Sequence, residues 1–236
     1  MAVPGVVPTN CSGRWNAMPR LLFEKKGNAV WISHLDLMRL FQRAFKRAGL
    51  PLTHTQGFNP RPSVSIALPL SVGVESDCEL LDFDLDGVKI PNEEILTRLN
   101  EKLVDGVRVH AVYDDGRKIK HLALLKCAVS LEYDNGVPDR AKERIESLFT
   151  ADSVLVEKKS KNGIQEQNIV PMIRSLCVEQ VDEHELKLTA VICCQNPTLN
   201  PMQLVVAIER CLPEDKADFA KSRRLEIYDG DEKIFR

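Results

Sequence analysis

Hydrophobic residues repeat at three- and four-residue spacing in one stretch near the beginning of the chain. The stretch contains Leu37, Met38, Phe41, Ala44, Phe45 and Ala48. This spacing places all of them on one side of an α-helix. Ser33 stands at the expected N-cap with Asp36 three residues later, and Gly49 follows where a helix end favours a left-handed residue. The pattern predicts an amphipathic helix between residues 33 and 49.

Alternating hydrophobic and polar positions on both sides of this helix predict strands. In the first half, the elements in chain order are a strand at 20–26, the helix above, strands at 52–56, 63–68 and 78–85, a helix beginning at Pro91 and a strand at 107–113. In the second half they are a strand at 125–133, a helix at 138–149, strands at 153–158 and 186–193, a helix beginning at residue 200 and a strand at 224–228. Apart from one additional short strand in the first half, where the second strand is followed by an extended connection, each half has the order β-α-β-β-α-β. The sequence therefore predicts an α+β fold of two tandem ferredoxin-like units with antiparallel sheets.

The chain length of 236 residues suits two compact domains. We place them at residues 19–118 and 119–236, and we treat residues 1–18 as a leader or tag, because they do not resemble a secretory signal. The composition, 44% hydrophobic and 28% charged, is ordinary for a soluble protein, and no apolar run is long enough to span a membrane. Seven cysteines, an odd number without a CxxC pair, favour reduced thiols and a cytoplasmic location.

The charges are distributed unevenly along the chain, although the net charge is only −2. Residues 33–62 contain five Lys or Arg against the single acid Asp36, whereas residues 75–115 contain twelve acids against four bases. The predicted helix carries Arg39, Arg43 and Arg47 on its polar side. A solvated helix face is one interpretation of this basic row, and a nucleic-acid contact is the other.

The loop THTQGFNPRP at residues 53–62 combines side chains that suit recognition of a base or a phosphate. Phe58 can stack, Asn59 can bind a base edge and Arg61 can bind a phosphate. Two prolines and Gly57 restrict and shape the loop, which lowers its ordering cost on binding. We expect the loop to lie near the start of the predicted helix. In the alternative interpretation, Phe58 fills the core below a kinked strand.

Two further features have both a functional and a structural interpretation. His34 lies just inside the predicted helix and is either a general acid or base or a structural histidine. A lysine-rich segment at residues 157–163, EKKSKNG, is predicted to form a hairpin-type excursion and is either a second basic patch or only solubilising. The candidate ligand-binding residues are Ser33, His34, Arg39, Arg43, Arg47, His54, Gln56, Phe58, Asn59, Arg61, Lys158, Lys159 and Lys161. The sequence contains no metal-binding motif and no complete catalytic constellation.

Several linked motifs resemble the DUF2344 family, whose members are also called radical SAM-linked proteins. The motifs are F-x-K-x-G at 23–27, ISHLD at 32–36, RAGLP at 47–51, GFNPRP at 57–62 and LPLSVGVES at 68–76, with residues 158–176 and 196–201 as the best further matches. The resemblance implies a radical SAM enzyme as partner, which would carry an iron–sulfur cluster and S-adenosylmethionine. This chain lacks the CxxxCxxC cluster motif, so we expect it to bind no cofactor itself.

A weaker architectural likeness is to the RAMP proteins of the Cas6 type, the CRISPR RNA endonucleases. It consists of the tandem ferredoxin-like units and a histidine near the first helix. The glycine-rich loop expected in that family is missing, and CQNPTLNP stands in its place at residues 194–201. Shared architecture alone does not establish cleavage.

Three hypotheses for function follow from the sequence. The leading one is an accessory module that binds RNA or a ribonucleoprotein and works with a radical SAM enzyme. The second is a metal-independent ribonuclease of the Cas6 type that uses His34. The third is an adaptor that binds protein only, through the acidic residues 75–115. None of the three involves a membrane, and no sequence feature indicates specificity for DNA.

Overall fold

The computed structural model describes residues 18–87, 89–160 and 163–236. Residues 1–17, nearly the whole predicted leader, and Lys161 of the lysine-rich segment lie outside the described residues. Within the described part, the protein is a mixed α+β structure with an eight-stranded, mostly antiparallel sheet, a separate two-stranded hairpin and four α-helices. None of these helices combines the length and apolar character that crossing a bilayer requires.

The four helices and the strands that were predicted and observed follow one another in the predicted order. In the first half they are β1 (Arg20–Lys25), α1 (His34–Arg47), β2 (Val64–Ile66), β3 (Glu75–Phe83), α2 (Asn92–Asn100) and β4 (Val107–Tyr113). In the second half they are β5 (Leu122–Glu132), α3 (Ala141–Phe149), β6 (Leu155–Ser160), β7 (Gly163–Asn168), β8 (Ile173–Gln180), β9 (Glu185–Cys193), α4 (Met202–Cys211) and β10 (Phe219–Asp229). The second half therefore contains β8, which the sequence pattern did not predict, and β7, which pairs with β6 in the hairpin-type excursion that was predicted without bounds for its second strand.

The two halves share one sheet. Its strand order is β4-β1-β3-β10-β5-β9-β8, and β2 pairs with β3 outside this path. β3 and β10 join the halves as a short parallel pair, in which Glu75 lies beside Arg223 and Ser76 beside Arg224. The sequence predicts an antiparallel sheet for each half, but it gives no indication of this junction, which depends on two strands almost 150 residues apart along the chain.

The helix α1 forms as the hydrophobic pattern predicts. The Ser33 hydroxyl accepts a hydrogen bond from the Asp36 backbone N–H, which satisfies one of the free N–H groups at the helix start. Leu37, Phe41 and Phe45 are fully or almost fully buried. Phe41 packs edge-on against Phe23 of β1 at 4.7 Å between ring centroids. Burial of each such side chain contributes about 1.5–3 kcal/mol to the free energy of folding, which fixes α1 against the sheet.

The predicted strand at residues 52–56 does not form. Only isolated bridges occur there, from Leu52 to Leu85 and from His54 to Pro62. The segment turns back on itself instead of continuing along the sheet, and the two prolines of the loop lack the N–H groups that a longer ladder requires. The loop therefore projects from the sheet as a short hairpin.

Candidate nucleic-acid interface

The hairpin at residues 55–61 is closed by two hydrogen bonds between its ends. The Thr55 N–H donates to the Arg61 carbonyl at 2.8 Å, and the Arg61 N–H donates to the Thr55 hydroxyl oxygen at 3.0 Å. At the tip, Gly57 has a φ of +137°, a conformation that residues with a side chain rarely adopt. The chain thus forms a compact turn that holds its tip residues away from the sheet.

The side chains of this hairpin face solvent. Phe58 is fully exposed, at 107% of its reference area. The other exposed candidates in this segment are His54, Gln56, Asn59 and Arg61. Full exposure rules out the interpretation in which Phe58 fills the core. An aromatic ring in water beside an amide and a guanidinium is a surface that favours stacking and hydrogen bonding with a partner.

The hairpin lies at the opposite end of the sheet from the start of α1, contrary to the expectation from the sequence. Its base is bonded to the end of β3, where the Thr53 N–H donates to the Asp84 carbonyl at 2.9 Å. The start of α1 lies at the other end, where Lys25, paired with Ser76, donates from Nζ to the Ile32 carbonyl at 2.8 Å. At roughly 3.4 Å per residue, the eight steps between the nine residues of β3 span about 27 Å. Ser33 and His34 are therefore not neighbours of the hairpin.

The basic row of α1 forms a second surface. Arg39, Arg43 and Arg47 are exposed and line a depression of about 400 Å³. Its remaining lining residues are Ile32, Asp36, Leu40 and Val104. Arg47 donates from Nη2 to the Lys102 carbonyl at 2.8 Å, which directs this side of α1 toward the end of α2. No hairpin residue lines the depression.

Asp36 is the acidic member of the α1 surface. Its carboxylate accepts from the Ser33 hydroxyl at 2.7 Å and forms an ion pair with Arg39 at 2.9 Å. The Ser33 hydrogen bond, followed by that from Arg39, lowers the pKa of Asp36. The carboxylate thus stays ionised and offsets the charge of Arg39. Within the described residues, Arg43 and Lys46 form no hydrogen bond or ion pair with another residue, which leaves their charges available to a phosphate.

The family of the protein follows from a match between the sequence and a family model. The model of the uncharacterised bacterial proteins DUF2344 matches residues 19–201. The chain belongs to this family. No curated protein matches the sequence.

The comparison with solved structures gives matches to this DUF2344 member at very low sequence identity. One is a chain in a crystal structure of a Cbf5-Nop10-Gar1 complex, with a TM-score of 0.51 and 8% identity over 89% of this chain. Another is a chain in a structure of an H/ACA RNP bound to a substrate RNA containing 2′-deoxyuridine, with a TM-score of 0.46 and 7% identity over 92% of this chain. The match covers about half, 49%, of the length of each of these chains.

The remaining candidates of this DUF2344 member are placed as follows. His34 is the first residue of α1 and is half-buried, and its Nδ1 is buried without a hydrogen-bond partner among the described residues. Lys158 and Lys159 lie in β6, which pairs with β7 as the predicted hairpin-type excursion. His34, Lys158 and Lys159 belong neither to the hairpin at 55–61 nor to the residues that line the depression beside α1.

The structure also shows two exposed apolar residues at the start of α1 that the sequence analysis did not select. Trp31 is 71% exposed and Leu35 is 67% exposed. Leu35 lies outside the buried side of α1, so the helical spacing alone could have predicted that its side chain is exposed. The surface around the start of α1 therefore offers apolar groups as well as the charges of Arg39 and Arg43.

Proposed function

We propose that this DUF2344 member binds RNA or a ribonucleoprotein, as an accessory to a radical SAM enzyme. The observation that carries the proposal is the full exposure of Phe58 on a closed hairpin, next to Asn59 and Arg61. An exposed aromatic ring stacks on any base, an amide hydrogen-bonds to a base edge, and a guanidinium binds a phosphate. A hairpin with this set of groups suits single-stranded or looped RNA.

The basic row of α1 contributes the second contact of the proposal. Arg39, Arg43 and Arg47 are spaced along one side of the helix and are exposed to solvent, as contacts to a nucleic-acid backbone require. Such contacts carry no base specificity, and they weaken as salt concentration rises. Because the hairpin and the helix surface do not share a groove, we expect their contributions to affinity to be nearly additive.

The architecture supports a finer description of the fold. We propose that the halves, residues 19–118 and 119–236, are two ferredoxin-like units. The order of strands is β4-β1-β3-β2 in the first half and β10-β5-β9-β8 in the second. β6 and β7 form a separate hairpin and are left out of this count. In each half, the fourth, first, third and second strands then lie side by side in that order, which is the strand order of a ferredoxin-like unit. The structural comparisons contribute the fold alone to this proposal.

The radical SAM partner is proposed from the family resemblance. In that arrangement the partner holds the iron–sulfur cluster and S-adenosylmethionine, while this chain presents the RNA. The ribonuclease alternative has less support, because the half-buried His34 lies about the length of β3 away from the hairpin and its Nδ1 has no orienting partner among the described residues.

Replacement of Phe58 tests the proposed function. We expect Phe58→Ala to weaken binding of a mixed-sequence single-stranded RNA by about 5- to 150-fold, which corresponds to the loss of about 1–3 kcal/mol of base stacking. Fluorescence anisotropy at several salt concentrations measures this affinity. The matched control is Phe219→Ala, which removes another exposed phenylalanine, 58% exposed, from β10.

Two outcomes would remove the proposal. One is equal affinity of wild type and Phe58→Ala for RNA. The other is binding that does not depend on salt. If the protein instead co-purifies with a partner protein and without nucleic acid, the adaptor hypothesis replaces the proposal.

A further inference from the structure

A small cavity lies where the two halves of the protein meet. It has a volume of about 120 Å³ and is partly open to solvent. One wall comes from the LPLSVGVES segment that follows β2, the other from the segment before α4, and the floor from β5 and β10. The lining residues that matter for binding are Leu68, Pro69, Val74, Leu199, Ser222 and Arg224. Two of the segments that match the family in sequence thus converge on one cavity.

The floor of the cavity carries two buried polar side chains. Ser222 and Arg224 are alternate residues of β10 and therefore point to the same side of the sheet. Ser222 is 5% exposed and Arg224 is 7% exposed. The Ser222 hydroxyl has no hydrogen-bond partner among the described residues. Because buried hydroxyl groups are normally hydrogen-bonded, this group is available to a ligand.

Arg224 is held in place by a backbone carbonyl of the cavity wall and by a carboxylate of β3. Its Nη1 donates to the Leu68 carbonyl at 3.0 Å and to the Glu79 carboxylate at 2.6 Å. The carboxylate of Glu79 offsets the positive charge, so the guanidinium offers hydrogen-bond donors more than an uncompensated charge. A neutral carbonyl oxygen suits such donors, since a second carboxylate near Glu79 would bring two negative charges together in a buried place.

The size of the cavity favours a ligand with a single ring. Its volume of about 120 Å³ is close to that of the apolar cavity of about 150 Å³ that accommodates benzene in another protein, so one six-membered ring matches the enclosed space better than two fused rings do. Leucine, proline and valine side chains in the walls suit the faces of a planar ring. A pyrimidine base is a six-membered ring with a carbonyl acceptor at its edge.

We propose that this cavity binds one unstacked pyrimidine base of the RNA, with Ser222 and Arg224 donating hydrogen bonds to its carbonyl oxygens. The inference rests on the proposed function and identifies the site at which the protein would recognise one base of the RNA. The base enters the cavity from a single strand or loop, where unstacking costs least. The hairpin at 55–61 then contacts another part of the same RNA.

Binding of free nucleosides tests the cavity separately from the rest of the RNA surface. Saturation-transfer NMR and calorimetry with uridine, cytidine, adenosine and benzoate compare one-ring, two-ring and anionic ligands. We expect uridine and cytidine to bind, and adenosine to bind at least about tenfold more weakly because its fused rings exceed the cavity.

Two variants connect this binding to the cavity. We expect Ser222→Ala to weaken pyrimidine binding by about 2- to 12-fold, the effect of one lost hydrogen bond, and to fold normally because it removes an unpaired buried hydroxyl. Val74→Phe places a ring at the cavity wall and abolishes pyrimidine binding. Ser130→Ala in β5, which does not line the cavity, is the matched control. Thermal unfolding checks that each variant is folded.

The outcomes separate the inference from the proposed function. If wild type binds RNA but no pyrimidine nucleoside, the cavity assignment is wrong and the proposed function stands. If benzoate binds more tightly than uridine, the cavity is an anion site and the assignment to a base is also wrong. If pyrimidines bind but RNA does not, the proposed function fails together with the assignment to an RNA base.

Discussion

At the residue scale, burial separates the cysteines in the described part of the chain into two chemical groups. Cys78, Cys127, Cys193 and Cys194 are buried, whereas Cys177 and Cys211 are exposed. Burial raises the pKa of both Cys127 and Cys194 to about 12. Since the thiolate is the reactive form, the thiols of Cys127 and Cys194 stay protonated and unreactive in the folded protein at neutral pH.

We expect iodoacetamide to modify Cys177 and Cys211 of the folded protein at pH 8, and to leave Cys127 and Cys194 unmodified. Peptide mass spectrometry before and after denaturation in urea measures the modification of each site. The raised pKa of these two thiols also implies that stability decreases with pH: above roughly pH 8.5 the unfolded state releases protons that the folded state retains. Rapid labelling of Cys127 without denaturant would contradict the buried position.

Local sequence signals predicted some residue positions well and others not at all. Ser33 and Asp36 could be assigned to the helix cap because capping depends on residues three apart. The exposure of Phe58 could not be decided, because the same ring is equally compatible with a core position until the path of the hairpin is known. The unpaired hydroxyl of Ser222 depends on neighbours from distant segments and has no sequence signal.

At the element scale, two ion pairs connect β10 to β3. Arg223 binds the Asp77 carboxylate through two nitrogens, at 2.9 and 2.6 Å. On the other side of the strand, Arg224 binds Glu79 at 2.6 Å, and both side chains of this pair are less than a tenth exposed. Loss of one partner from a buried pair leaves an uncompensated charge away from water, which costs more than the pair itself contributes.

We expect Glu79→Ala to lower the free energy of unfolding by about 3–5 kcal/mol, because it leaves the Arg224 guanidinium buried without its carboxylate. Urea unfolding monitored by circular dichroism measures this change. The matched control is Glu94→Ala, which removes the half-exposed pair with Arg98 on α2 and should cost about 0–1 kcal/mol. Equal effects of the two substitutions would show that the β3–β10 junction does not depend on this pair.

The elements that the sequence predicted best are those with strong periodicity. α1 has a continuous apolar stripe and a cap, and its observed bounds, His34–Arg47, lie inside the predicted range. β8 was missed because it lies at the edge of the sheet and most of its side chains, in the sequence IRSLCVEQ, are exposed or only partly buried. Edge strands lack the alternation that a half-buried strand shows. The segment 52–56 was assigned as a strand because local propensity contains no information about the turn that follows.

At the scale of the whole molecule, one sheet runs through both halves, and this continuity creates a surface that neither half has alone. The cavity above β10 exists because segments from residues 68–74 and 194–201 face one another across the junction. The hairpin and the arginine row of α1 belong to the first half alone, whereas the cavity needs segments from both halves. The order of the helices and of most strands was predictable from the sequence, whereas the pairing of β3 with β10 was not, because register between distant strands depends on tertiary contacts.

The central claim is that the hairpin at 55–61 contacts RNA. Ultraviolet crosslinking of the protein to RNA from its native cell extract, followed by digestion and mass spectrometry of the nucleotide adducts, tests it most directly. The account predicts adducts on residues 53–62, with Phe58 as the principal position because a stacked ring lies in contact with a base. Adducts confined to other parts of the chain, or peptides from this segment crosslinked only to protein, would contradict it.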